Sequence, residues 1–323
     1  MADKNLISVI ITSYNHADHL SQRIDSLLEQ TYKNQEIIIV DDCSTDSSRS
    51  VYDRYREFQN INVKFLEKNG GYANATNIGV GLSHGEYLMF AEADDFNDPR
   101  QIELLLSCIT KDEHIGVVFS KSNIVDANGK IIGDDFQFRE SSFKKLCSKN
   151  SRIERSAMQK FLLSACVIPN MSAALIRRQY FDIIHGFSTL YKMVADWDFW
   201  CRMAQACDFY YVAEPLNNFR SHRNTLRNSI KARKQVYEIF DILYRTISEM
   251  RLTPFEQIRY KSNIGFIWAY YLTSDFTLEN FFQTWRDNKA HDIFGIIYLV
   301  WGFVKSALLV ARNYIKKLQQ IIK

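Results

Sequence analysis

The sequence predicts an α/β fold built on a parallel sheet. Over residues 6–95, short apolar runs alternate with amphipathic helical segments. Leu6–Ile11 and Glu36–Val40 are apolar almost throughout, as in strands that are buried on both faces. Strands that alternate with helices favour parallel pairing. The 46% hydrophobic and 24% charged residues are typical of a globular protein rather than a disordered chain.

The elements of this region can be assigned in order from their periodicity. Strands are predicted at Leu6–Ile11, Glu36–Val40, Val63–Leu66, Tyr87–Phe90 and Ile115–Ser120. Helices are predicted at His19–Gln30, Ser47–Phe58 and Ala73–Leu82. The first helix carries Leu20, Ile24, Leu27 and Leu28 on one face, which indicates packing against the sheet.

Two later segments differ from this pattern. The polar and basic stretch Asp134–Arg155 is either a mobile insertion or substrate-facing lid, or a solvated surface. After Asn224 the periodicity becomes helical, with Val236, Phe240 and Leu243 on one face of a long helix. The sequence therefore predicts a catalytic domain over residues 1–225 and a helical region over residues 226–323.

The end of the chain predicts membrane association. Ile293–Ala311 is strongly apolar, and five basic residues with no acidic residue lie from Lys305 to Lys323. An amphipathic helix near 293–323, lying on an anionic membrane, suits this pattern better than a spanning helix. A buried core helix with a solvated cationic tail is the alternative.

Composition limits location and partners. The formal net charge of +3 is too small to indicate a nucleic-acid-binding protein. No secretory signal is recognisable, and the six cysteines form no C-x-x-C pair. We expect reduced thiols and a cytoplasmic protein, peripheral on the inner face of the plasma membrane.

Polar clusters follow three of the predicted strands. They are Thr12–Asn15, Asp41–Asp42 and Glu92–Asp95. Ligands bind at the carboxyl ends of parallel strands, so these clusters predict one common site. A carboxylate cluster can accept a nucleotide diphosphate when a hard divalent cation lies between them. Asp94 is the predicted metal ligand, and Glu92 is predicted to bind ribose hydroxyls or the metal through water.

These motifs resemble those of family 2 inverting glycosyltransferases. The resemblance rests on Ser8–Asn15, Leu28–Tyr32, Glu36–Asp46, Asn69–Gly71, Asn77–Gly79, Gly85–Tyr87 and Phe90–Asp95, which follow one another in the family's order. It covers roughly residues 6–225. It implies the GT-A fold (a Rossmann-like sheet flanked by helices), a nucleotide-sugar donor, and Mg²⁺ or Mn²⁺.

The resemblance also assigns roles to the nucleotide site. Thr12 and Tyr14 match positions around the base, with the Tyr14 ring packing on it. Asp42 matches the acid that accepts a hydrogen bond from the base, typically uracil, whose imide N–H suits a carboxylate. Glu92 stands where the family usually has Asp. Thr76 stands where the family often has Arg.

Val194–Arg202 resembles the family's segment that carries the catalytic base. Asp196 aligns with that base, while Ala195 replaces the usual Glu. A base that takes the acceptor proton contributes about 10²–10⁴-fold in rate. Asp198 is the rival, and on a helix the two side chains point apart. In a purely structural alternative, Asp196 caps the helix.

Phe219–His222 resembles the family's aromatic-Arg-x-His segment. His222 would contact the metal or the diphosphate, or be structural. Arg220, Arg223 and Arg227 would make the loop electropositive, as diphosphate recognition requires, or begin a solvated helix.

The predicted function is inverting transfer of a hexose or amino-hexose to a saccharide hydroxyl. The donor is expected to be a UDP-sugar. The acceptor is expected to be lipid-linked, as in bacterial O-antigen or capsule synthesis. A sugar nucleotidyltransferase is one alternative, although no Gly-rich basic loop follows the first strand. An inactive scaffold of the same fold is the other.

Overall fold

The computed structural model describes residues 4–139, 141–168, 170–221 and 232–272, and isolated residues between 282 and 304. The chain divides into two compact units, residues 1–225 and residues 226–323.

The first unit is organised around one mixed sheet. Within the described residues it has ten strands: β1 (Ile7–Ser13), β2 (Gln35–Asp41), β3 (Ile61–Phe65), β4 (Tyr87–Glu92), β5 (Phe96–Asn97), β6 (Ile115–Val125), β7 (Ile131–Asp134), β8 (Ser151–Ile153), β9 (Ala174–Arg177) and β10 (Asp208–Arg220). The main order is β3-β2-β1-β4-β9-β6-β10-β5, with β7 beside β6 and β8 beside β10.

Helices cover this sheet. They are α1 (Ala17–Leu28), α2 (Ser48–Asp53), α3 (Tyr72–Gly81), α4 (Gln101–Ile109), α5 (Ser141–Leu146), α6 (Arg155–Leu162), α7 (Arg178–Ile183) and α8 (Ala195–Ala206), with short 3-10 helices at Asp135–Phe138 and Met171–Ala173. Gly79 lets α3 approach the sheet closely, because a Cβ there would lie 2.5 Å from Ile10 Cγ2. The close packing of α3 on β1 positions the side chains of α3 relative to the sheet.

The α/β fold class predicted from the sequence is confirmed. β1 to β4 pair in parallel, and β1 lies between β2 and β4. β9 adds antiparallel pairing between β4 and β6, which the sequence did not predict. The thirteen-residue β10 was also missed, because Glu214, Pro215 and Asn217 interrupt its apolar pattern.

The segment Asp134–Arg155 contains a packed core. Arg139 is buried, pairs with the buried Asp135, and lies over four aromatic rings. These rings belong to Phe119, Phe136, Phe143 and Tyr211. The expectation of a solvated surface is therefore wrong for this part of the segment.

The second unit is helical. Its described helices are α9 (Ala232–Glu249) and α10 (Pro254–Leu272). α9 buries Val236, Phe240 and Leu243, the face predicted from the sequence.

Most of the membrane-associating helix predicted near 293–323 lies outside the described residues. Among the part that is described, Ile297, Val300, Trp301 and Val304 are exposed. No helix of the described residues is both long and apolar enough to cross a bilayer.

Candidate functional site

The ends of three neighbouring strands meet at one edge of the sheet. In the register of β1, Thr12 pairs with Val40 on one side and with Glu92 on the other. Ser13 pairs with Asp41 at the end of β2. The polar clusters that follow β1, β2 and β4 are therefore adjacent.

The loop after β1 is held by Asn15. This residue has a positive φ of 59°, and its side-chain oxygen accepts a hydrogen bond from the Thr45 backbone N–H at 2.8 Å. Its own backbone N–H donates to Ser44 Oγ at 3.0 Å. Tyr14, just before it, is 45% exposed, so one surface of this residue faces solvent beside the strand ends.

Asp42 connects β2 to the loop before α3. Its two carboxylate oxygens accept hydrogen bonds from the backbone N–H groups of Gly70 and Gly71, at 2.7 and 2.8 Å. A carboxylate oxygen has two lone pairs, so each retains capacity for a further donor. Asp41, by contrast, is bonded within the fold to Ser44 and Tyr52.

Negative charge accumulates after β4. Burial and the neighbouring charges of Asp95, Asp94 and Asp196 raise the pKa of Glu92 well above its usual range. The Glu92 backbone is fixed, because its N–H donates to Ser172 Oγ at 2.9 Å. The edge is therefore rich in carboxylates that destabilise one another.

Asp95 turns away from this edge into the protein. One carboxylate oxygen accepts from the Arg220 backbone N–H at 3.0 Å. The other lies 4.0 Å from the Arg23 guanidinium and forms no hydrogen bond with any residue that the structure describes. Burial and the charge of Asp94 raise the pKa of Asp95 to about 7, although Arg23 opposes this.

Arg23 was missed by sequence reasoning. It is fully buried on α1, and it donates to the Glu92 carbonyl at 2.8 Å and to the Asn97 side chain. The available signal was an arginine on the same helical face as Leu20 and Leu27, since a buried cation requires a buried anion or carbonyls.

Arg220 has a different role from the one its sequence context predicted. It is buried, and its guanidinium donates to the Asp94 carbonyl at 2.8 Å, the Ala127 carbonyl at 2.7 Å and Gln22 Oε1 at 2.6 Å. The expectation that Arg220 recognises a diphosphate is therefore wrong, because these donors are used inside the fold.

The two acids of α8 are in different environments. Asp196 is partly buried in the first turn, near enough to Glu92 to influence its pKa, and it accepts from the Trp197 N–H at 2.8 Å. Asp198 is fully buried and pairs with Arg202 at 2.7 and 2.8 Å. These contacts favour Asp196 over Asp198 as a base, and the assignment remains a prediction.

Asn77 ties α3 to the loop that precedes α8. Its amide donates to the Phe187 carbonyl at 2.8 Å, and its oxygen accepts from the Phe187 N–H at 2.9 Å. The loop that leads to Asp196 is therefore fixed to the helix that begins beside Gly70 and Gly71.

The residues present fit a divalent cation whose remaining ligands are supplied by the substrate. Within the described ranges, no group of three or more His, Cys, Asp or Glu residues could hold a metal ion alone. Magnesium is usually held by one or two carboxylates together with substrate phosphates. Asp94 can supply such a carboxylate, and its charge and that of Glu92 repel each other. His222, Arg223 and Arg227 lie outside the described residues.

Comparison with known proteins identifies the family of this site. The model of glycosyl transferase family 2 matches residues 8–184. Glycosyltransferase GlyG of Streptococcus pneumoniae is 30% identical over 56% of this chain and 59% of its own length. Chondroitin synthase of Pasteurella multocida is 24% identical over 77% of this chain and 24% of its own length. The chain thus spans only part of either relative.

A solved structure agrees with the fold. S. aureus TarS, residues 1–349 in complex with UDP-GlcNAc, superposes with a TM-score of 0.71 at 16% identity, covering 95% of this chain and 92% of that chain. At this identity the likeness establishes the fold, which is of the predicted GT-A type.

Proposed function

This chain belongs to glycosyl transferase family 2, and we propose that it is an inverting, metal-dependent hexosyltransferase. The donor in this proposal is a UDP-hexose or UDP-amino-hexose, and the acceptor is a saccharide hydroxyl. The observation that carries the proposal is the edge where the ends of β1, β2 and β4 bring Thr12 beside Glu92. Family membership favours glycosyl transfer over the nucleotidyltransferase alternative.

The nucleotide would bind at the ends of β1 and β2. Tyr14 would pack on the base, next to Thr12, and the exposure of its side chain supports this role. Asp42 would accept the imide N–H of uracil with its remaining lone pairs while the Gly70 and Gly71 amides hold it in place. The likeness to a protein solved with UDP-GlcNAc supports a uridine nucleotide.

The diphosphate and its cation would bind at the end of β4. Asp94 would hold Mg²⁺ or Mn²⁺ directly, with His222 as a further ligand, and Glu92 would bind the ribose or the metal through water. When bound, the cation stabilises the negative charge of the leaving diphosphate. The carboxylates clustered around Glu92 support a cation at this position, because a positive charge would reduce their mutual repulsion.

Asp196 would act as the base of an inverting displacement. Its carboxylate takes the proton of the acceptor hydroxyl while that oxygen forms a bond to the anomeric carbon. The bond between the anomeric carbon and the phosphate oxygen breaks on the opposite face, and the nucleoside diphosphate leaves with the electron pair. The neighbouring rival Asp198 is neutralised by Arg202, which supports Asp196 in this role.

The decisive experiment is a panel of nucleotide sugars assayed for metal-dependent nucleotide release. We expect turnover of a UDP-sugar with Mn²⁺ or Mg²⁺, loss of turnover with a chelator, and recovery when metal is restored. Absence of release from every donor in the panel would contradict the proposal and leave the inactive-scaffold alternative.

The acceptor is proposed to be lipid-linked and the enzyme to act at the cytoplasmic membrane face, in O-antigen or capsule-type synthesis. The exposed Ile297, Val300, Trp301 and Val304 have helical spacing, and Lys305 follows them. The similarity to chondroitin synthase supports a saccharide acceptor.

Deleting residues 293–323 should abolish sedimentation with anionic lipid vesicles. Neutral vesicles should bind the intact chain more weakly, because the basic residues attract anionic lipids. Equal sedimentation of the intact and shortened chains would contradict the membrane proposal without affecting the transfer proposal.

A further inference from the structure

The hydroxyl of Tyr72 is a buried polar group without a hydrogen-bond partner in the part of the chain that the structure describes. Tyr72 is the first residue of α3, directly after Gly70 and Gly71. Its hydroxyl oxygen is shielded from solvent and forms no hydrogen bond among the described residues. The nearby Thr76 hydroxyl donates instead to the Tyr72 carbonyl at 2.8 Å. Buried hydroxyls are normally paired, so this one requires an explanation.

The hydroxyl lies at the acidic edge. Burial and the charges of Glu92 and Asp196 raise the pKa of Tyr72 well above its usual range, although the nearby Thr76 hydroxyl opposes this. The same Asp196 charge acts on Glu92. The packing agrees with this position, because the Tyr72 ring contacts Phe187, which packs against Phe90 of β4 with ring centroids 5.3 Å apart.

Packing keeps the hydroxyl in this position. The Tyr72 ring makes an edge contact with Phe187, with centroids 5.5 Å apart, and Phe187 stacks on Phe199 at 4.2 Å. Phe187 is itself held by both hydrogen bonds from Asn77. The Tyr72 side chain thus has little freedom to turn toward another partner.

We propose that the Tyr72 hydroxyl donates a hydrogen bond to a ring hydroxyl of the donor sugar. This inference rests on the proposed transfer function. A sugar hydroxyl is both acceptor and donor, so it can accept a hydrogen bond from Tyr72 and still donate its own proton to another acceptor. UDP alone lacks the donor sugar and therefore the ring hydroxyl that would bind Tyr72. Tyr72 therefore selects the sugar portion of the donor and not the nucleotide.

The test compares Tyr72→Phe with Tyr211→Phe. Tyr211 is a matched control, because its buried hydroxyl also has no hydrogen-bond partner among the described residues. Its ring lies elsewhere in the fold, with the Arg139 guanidinium 5.3 Å from the ring centroid. Turnover of the UDP-sugar found with the wild-type chain is measured by nucleotide release. Binding of that UDP-sugar and of UDP is measured by calorimetry in the presence of the metal ion, and stability by thermal unfolding.

We expect Tyr72→Phe to lower kcat/KM for the UDP-sugar by about tenfold or more, since losing a hydrogen bond to a substrate hydroxyl reduces selection strongly. UDP affinity should stay within about twofold, and the unfolding temperature should not fall, because an unpaired hydroxyl is removed. Tyr211→Phe should leave both kcat/KM and UDP affinity unchanged.

Two results would overturn the inference. One is wild-type turnover in Tyr72→Phe. The other is an equal loss of UDP and UDP-sugar binding with a lower unfolding temperature, which would mean a structural role. Failure of the proposed function looks different, because the wild-type chain itself would then release no nucleotide from any donor.

Discussion

The carboxylates at the two ends of strands β1, β2 and β4 lie in opposite electrostatic environments, because the pKa of Glu36 is lowered and that of Glu92 is raised. At the amino end, the Glu36 carboxylate accepts from Ser8 Oγ at 2.7 Å, from the Gly85 N–H at 3.1 Å and from the His84 N–H. These hydrogen bonds outweigh burial and lower the pKa of Glu36. Gly85 permits them, because a Cβ there would lie 2.6 Å from the Ser8 nitrogen.

At the carboxyl end the buried polar groups are less completely paired among the described residues. Burial and neighbouring carboxylates raise the pKa of Glu92, and Asp95 Oδ2, Arg23 Nη2 and Tyr72 Oη have no hydrogen-bond partner among the described residues. The same three strands therefore end in a stabilising network on one side and in a polar site lacking partners on the other. The difference indicates which end is arranged for stability and which for a ligand.

The largest expected effect is at Asp94. Asp94→Asn should reduce metal-dependent nucleotide release to background, because it removes the charged ligand of the cation. Stability should be equal or higher, since one source of repulsion on Glu92 and Asp95 is lost. Activity is measured across a metal titration, and unfolding by urea. Full activity in this variant would move the metal elsewhere.

The next effect is at Asp196. Asp196→Asn should lower transfer about 10²–10⁴-fold, the usual contribution of a general base, while donor binding persists. Single-turnover transfer and donor calorimetry separate the two quantities. Asp198→Asn serves as the comparison, because it breaks the ion pair with Arg202 and should chiefly lower stability. Unchanged turnover in Asp196→Asn would shift the base to Asp198.

A smaller effect, on stability rather than rate, tests Arg23. Arg23→Met should destabilise the fold by about 3–5 kcal/mol, because it leaves buried Asp95 without its cation. Adding Asp95→Asn should recover part of the loss. The control is Arg56→Met, which breaks an exposed pair with Asp53 and should cost less than about 1 kcal/mol. Urea unfolding of the variants measures all three, and an equal loss in both single variants would refute the buried-charge explanation.

The smallest effect is at the amino end. Glu36→Gln should cost about 1–2 kcal/mol at pH 7 with turnover unchanged, because it weakens hydrogen bonds to a charged group. A lowered pKa stabilises the fold above the ordinary glutamate value of 4.5, and this contribution is lost as pH falls through the lower folded pKa. The difference in free energy of unfolding between the wild-type chain and Glu36→Gln should therefore become smaller on acidification below about pH 4.5. A pH-independent gap would contradict this explanation.

The sequence predicted the parallel half of the fold well. β1, β2 and β4 were found within a few residues, because strands buried on both faces form continuous apolar runs. β9 and β10 were missed, since β9 has only four residues and β10 contains Glu214, Pro215 and Asn217. Pairings between segments distant in the chain leave little trace in local periodicity.

The site was predicted in a similar, uneven way. The acids at strand ends were visible because a polar cluster after an apolar run is a local signal. Arg23 and Tyr72 were not, since their importance depends on Asp95, Glu92 and Asp196, which come from distant parts of the chain. Arg220 was assigned to the ligand from its motif, whereas the fold uses its hydrogen bonds for the loop at Asp94.

The paired hydrogen bonds between Asn77 and Phe187 have a consequence for recombination with relatives. They join positions 110 residues apart, on the two segments that carry Tyr72 and Asp196. A chimera with one crossover between Asn77 and Phe187 would take the amide side chain from one parent and the backbone that it binds from the other. Donor preference would then transfer between parents only when residues 69–77 and 184–196 are exchanged together.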